Sequence, residues 1–131
     1  MEKPQERRKE RRLHYRWPIW IAEDFNKALC QGHMVDVCSR GTSFTCAADK
    51  NIPLEGQRIT SRFSVPYFGS GESCTMASFT RMGRVCRVEE VDRFVRRVAI
   101  QFSEPLPFKP GEQAGIKSES EMEERLKGLT I

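Results

Sequence analysis

The chain has no long apolar run, only two histidines, and no pair of closely spaced cysteines. A membrane-spanning helix needs about 20 consecutive apolar residues, and none is present. The N-terminus also lacks the apolar core of a signal peptide, so a cytoplasmic protein is the expectation. The five cysteines (30, 38, 46, 74 and 86) are odd in number and contain no Cys-x-x-Cys unit. That spacing speaks against structural zinc and dithiol redox chemistry, and the thiols are expected to act as small, reduced, buried side chains. Cys30, Cys38 and Cys46 recur every eight residues, a spacing read as coincidence. His14 and His33 have no companions that would make them metal ligands, and neither a metal nor a cofactor is expected. The "GSG" at 69–71 is followed by no lysine and no helix, so it is not a phosphate loop. No compact Ser–His–Asp set or carboxylate pair is visible, which argues against an enzyme.

Charge is present but unevenly placed. The chain carries 22 basic and 18 acidic residues, a net of +4. Residues 1–16 hold seven basic side chains against Glu2, Glu6 and Glu10, which is already +4, so the remainder is formally neutral. A basic arm on a neutral body points to a local anionic partner. An RNA- or single-strand-binding barrel would carry basic and aromatic residues across its face as well, and the neutral body speaks against that reading.

The body reads as strands. "RWPIWIAEDF" alternates Trp17, Ile19 and Ile21, and "GHMVDVC" sets Val35 and Val37 on one face against Met34, Asp36 and Cys38 on the other. "TSFTCAA" predicts a third strand. "GQRITSRFSVPYF" turns Ile59, Phe63 and Val65 inward and is expected to be ended by Pro66 and the "GSG" that follows at 69–71. "SCTMASFTRMGRVCRVEEV" predicts a long strand interrupted by a bulge or bend at Gly83, with "EEVDR" (89–93) as a hairpin connection to "RFVRRVAIQF". Three regions follow: a flexible basic arm (1–11), a β-barrel domain (12–108), and a Pro/Gly-rich linker with a short helix (109–131). Ser120 and Glu123 have the spacing of a capping box for that expected helix.

Two short stretches carry the chemistry. Arg12 and Arg16 are four apart, a spacing that gives one face on a helix or a strand. Two guanidiniums on one face grip phosphate oxygens or the O6/N7 edge of guanine. In "VDVCSRG", Asp36 stands outward from a strand anchored by Val35 and Val37, where its carboxylate accepts hydrogen bonds. Gly41 suits a strand end that needs positive φ or close backbone approach.

In combination these features resemble the PilZ domain family. Its RxxxR motif matches Arg12–Leu13–His14–Tyr15–Arg16, and its [D/N]xSxxG motif matches Asp36–Val37–Cys38–Ser39–Arg40–Gly41, with cysteine in place of serine. "GRVCRVEEVDRFVRRVAIQF" is similar to the closing hairpin of that family. The resemblance covers roughly residues 11–108 and implies a six-stranded antiparallel barrel with a mobile N-terminal arm. It also implies a receptor for cyclic di-GMP, a bacterial second messenger. Arg12 and Arg16 would clamp the ligand, Asp36, Cys38 and Gly41 would form a platform under a guanine, and Arg11 would extend the clamp. Ser39 would stand in for the missing serine if the chain turns there. The output would pass to an effector protein of a motility, pilus or polysaccharide system. The alternative is a degenerate barrel of the same kind that binds proteins and no nucleotide.

Overall fold

A computed structural model describes residues 10–23, 30–49, 52–68 and 74–113. Most of the expected basic arm, the 69–71 glycines and the expected C-terminal helix lie outside these residues. Within them the chain forms seven strands: β1 (Leu13–His14), β2 (Pro18–Ala22), β3 (Cys30–Cys38), β4 (Gly41–Ala47), β5 (Arg58–Phe68), β6 (Cys74–Glu90) and β7 (Val95–Phe102). All pairings are antiparallel. The order β3-β2-β5-β6-β7-β4 returns to β3, which closes a six-stranded barrel, and β1 lies outside it against β3. The six-stranded antiparallel barrel expected from the sequence is therefore present. A 3-10 turn follows at Pro110–Glu112.

Closure follows from alternation. Ile19, Ile21, Phe44, Val65, Val85 and Val98 point inward and are almost completely buried. Each such side chain contributes on the order of 1.5–3 kcal/mol relative to exposure. Phe63 stacks on Phe102 with ring centroids 5.3 Å apart, which ties β5 to β7 through the core.

Strand details differ from expectation in three places, each with a local cause. In β3 a bulge lies between Met34 and Asp36. Met34 and Val37 are both fully buried while Val35 is only partly so. Inserting one residue reverses the side-chain alternation, so Met34, expected outside, faces the core. In β6 the bulge lies at Val85/Arg87 and not at Gly83. Gly83 answers a different need, since a Cβ there would sit 2.6 Å from the Gln101 carbonyl oxygen of β7. β5 runs through Pro66 to Phe68, directly before the glycines expected to end it, and there the Gln113 side chain donates to the Pro66 carbonyl and accepts from the Phe68 N–H. Among the described residues no strand pairs with that edge, so proline costs no ladder bond. Finally, Glu89 and Glu90 remain paired across from Arg97 and Arg96, and the connection shrinks to 91–94. Opposite charges placed directly across an antiparallel pair favour that extension.

A candidate anion-binding cleft at the barrel surface

The two bulges create the site. Period-two alternation from Met34 and Val85 would carry Asp36 and Arg87 into the core. One extra residue in each strand sends both to the outer face instead. Register then sets His14, Asp36, Ser43, Ala99 and Arg87 in one row across five strands. A neighbouring row holds Cys38, Gly41, Gln101 and Arg84.

A cleft of about 640 Å³ lies over these rows, with Arg12, Asp36, Cys38 and Gly41 among its lining residues. Its ionisable lining comprises Arg12, Arg40, Arg87 and Arg97 against Asp36 and Glu89, four positive charges to two negative. Arg87 is held by Glu89 at 3.0 Å in an exposed pair. The wall therefore has a local surplus of positive charge.

Asp36 is the centre of the polar network and is only 3% exposed. This corrects the expectation of a carboxylate displayed outward: it does leave the core face, but other side chains cover it. Ser43 Oγ donates to Asp36 Oδ1 at 2.8 Å. Arg12 Nη1 and Arg97 Nη2 approach Asp36 Oδ2 at 3.5 and 3.6 Å. Thr42 Oγ1 donates to the Asp36 carbonyl at 2.6 Å, so the backbone at this position is fixed too. Burying a polar side chain is costly unless it finds such hydrogen-bond partners.

The other sequence-predicted residues divide clearly. Cys38 lies along the cleft at the serine position of the motif. Gly41 serves close approach and not a left-handed turn, because the one positive φ among the described residues belongs to Gly56. A side chain at Gly41 would overlap the Ile100 carbonyl of β7. Ser39 is not part of the wall: its N–H and hydroxyl both donate to the Glu10 carboxylate, at 2.6 and 2.5 Å. In this arrangement Ser39 faces Glu10 and not the cleft. Arg11 and Arg16 are exposed and line no part of the cleft. Arg12, His14 and Arg16 nonetheless share the outward side of their segment, since Leu13 and Tyr15 are buried.

The end of the expected arm is docked. Besides the Glu10 bonds, the Arg11 N–H donates to Glu112 Oε2 at 3.0 Å. Gly111 packs so closely on the Arg11–Arg12 backbone that a Cβ there would lie 2.7 Å from the Arg12 carbonyl carbon. Glu10 and Arg11, expected to belong to the flexible arm, are therefore held against the barrel, and residues 1–9 of that expected arm lie outside the described residues.

Arg97, Arg87 and Ser43 were not among the residues singled out from the sequence. Alternation in "RFVRRVAIQF" does put Arg97 outside, opposite Val98 and Ile100. Nothing in one strand's pattern tells which neighbour it meets. No protein-family model matches this chain, and a search of the curated proteins finds no match to it.

Proposed function

We propose that this protein is a PilZ-like receptor for cyclic di-GMP that acts as an adaptor and not as an enzyme. The observation that carries the reading is one basic cleft lined by Arg12 of the first motif and by Asp36, Cys38 and Gly41 of the second. Its volume falls within the range of small-molecule sites, about 300–1,000 Å³. Its four arginines against two carboxylates suit a ligand with two phosphodiester charges. Guanidinium forks bind phosphate oxygens bidentately, which lysine does not do. Binding would draw Arg12 from Asp36 toward the ligand and re-aim the segment that precedes it. Such a change near the arm would alter the surface offered to an effector protein.

Calorimetric titration of cyclic di-GMP at two salt concentrations, with GTP and GMP as controls, tests the proposal. Binding is expected to be selective and weaker at high salt. Arg12→Ala is expected to weaken it by about 10- to 100-fold, the worth of a charge-assisted hydrogen bond. Arg16→Ala reports separately on whether the segment closes over the ligand, because Arg16 lies outside the ligand-free cleft. Absence of binding to the folded wild-type protein would overturn the reading.

A further inference from the structure

We infer that Arg97 is an anion-binding residue of this cleft, and that Asp36 is the positioning residue that aims Arg97 and Arg12 into it. The ligand chemistry is a phosphodiester anion, and for that class the inference rests on the proposed cyclic di-GMP reading.

The argument starts with what Asp36 has left to offer. Its carboxylate is buried and already engaged on both oxygens, by Ser43 on Oδ1 and by two guanidiniums on Oδ2. The resemblance assigns this position to a guanine edge, yet little of the carboxylate remains to be touched. The two arginine contacts are of a particular kind. Charge-assisted N–H···O bonds run at about 2.7–2.9 Å, so approaches of 3.5 and 3.6 Å are electrostatic tethers and not closed forks. A guanidinium carries five N–H donors. Arg97 directs Nη2 at Asp36 and at Ser43 Oγ (3.4 Å) while its side chain stays 42% exposed along the cleft. Asp36 thus orients two cations without consuming them.

Among the arginines of the wall, Arg97 is also the best anchored. It lies within β7, between Thr45 of β4 and Glu89 of β6. Arg12, by contrast, precedes the short strand β1 that lies outside the barrel. Arg87 is compensated by Glu89, and Arg40 has no contact with Asp36. Arg97 and Arg12 reach the same carboxylate oxygen from different segments, so a phosphate above it is met by both. Arg97 gives the fixed contact and Arg12 the one that follows.

The full chain is titrated with cyclic di-GMP and with inorganic pyrophosphate, using wild type, Arg97→Ala, Arg97→Lys and Asp36→Asn, plus Asp36→Asn combined with Arg97→Ala. Arg97→Ala is expected to bind either probe about 10-fold or more weakly, with a shallower salt dependence and an intact thermal transition. Arg97→Lys keeps the charge without the fork and falls between. Asp36→Asn is expected to weaken binding, and to do so several-fold less in the Arg97→Ala background, as coupled residues behave. Wild-type affinity in Arg97→Ala for both probes overturns the assignment while leaving a cyclic di-GMP receptor standing. Equal effects of Asp36→Asn in both backgrounds remove its positioning role. Arg97-dependent binding of pyrophosphate without any of cyclic di-GMP sustains the anion site and rejects the proposed ligand. Binding of neither probe overturns both.

Discussion

Gly111→Ala would separate the docked arm from the barrel, and its size can be worked out. Gly111 sits in the 3-10 turn, against the backbone of Arg11 and Arg12. A new Cβ would lie 2.7 Å from the Arg12 carbonyl carbon and closer still to the Arg11 oxygen. Carbon atoms rest near 3.5–4.0 Å, so turn and arm must part by about 1 Å. Backbone cannot rotate out of the way as a long side chain can. The displacement strains the Arg11 N–H bond to Glu112 and the two bonds from Ser39 to Glu10. These contacts are partly solvated, and together they are worth about 1–3 kcal/mol. Because the ladder of β2 to β7 is untouched, the cost falls on local docking and the thermal midpoint drops by only a few degrees. Hydrogen exchange reads this directly. The Ser39 amide, which donates to Glu10, should lose roughly 5- to 100-fold in protection while the Val98 amide of β7 keeps its own. Under the proposed function, affinity for cyclic di-GMP should fall as well, since Arg12 moves with the arm. Unchanged exchange at Ser39 would refute the reasoning, and so would an equal loss at Val98.

Two further outcomes follow from buried groups. Burial pushes the Tyr15 phenol far above its ordinary value of 10.0, and its hydroxyl donates to the Ser64 carbonyl. A folded pKa above the unfolded one gives stability that is full below about pH 10 and declines as pH rises past that value. Urea unfolding near neutrality and at about pH 11 should therefore show a steeper alkaline loss in wild type than in Tyr15→Phe, which itself costs about 1 kcal/mol at neutral pH; matching losses would count against it. The β3–β4 hairpin also brings Cys30 to Cys46, whose thiol hydrogen bond lowers the Cys30 pKa and raises that of Cys46. Thiolate is the reactive form, so iodoacetamide should label half-buried Cys30 before buried Cys46, and Cys46→Ala should slow Cys30. Mass spectrometry of the time course decides it, and equal rates would contradict the pairing.

Alternation made most of the fold legible in the sequence. Ile19 and Ile21, Ile59, Phe63 and Val65, then Val98, Ile100 and Phe102 mark inward faces, and each is buried as read. The same logic failed where one residue was inserted. A bulge leaves no compositional mark at Val35 or Cys86, so the inward turn of Met34 was invisible. Gly83 was misleading in another way: it is an ordinary breaker by residue type, but β6 continues through it, and β7 passes too close there for a side chain. The hairpin also brings Cys30 beside Cys46, a proximity that no residue pattern signalled.

The candidate site divides along the same line. Away from the two bulges, the sequence by itself determined which residue types stand on which strand face, and it also placed Arg12, Asp36, Cys38 and Gly41 in two short motifs. That information is local, because side-chain direction repeats every two residues and needs no partner strand. Only the tertiary structure decided that Asp36 is covered, that Ser39 belongs to Glu10, and that Arg97 reaches the carboxylate from 61 positions along the chain. Those outcomes depend on closure: β7 meets β4 and β4 meets β3 at one register, and that register is set by bulges and by packing of the whole core.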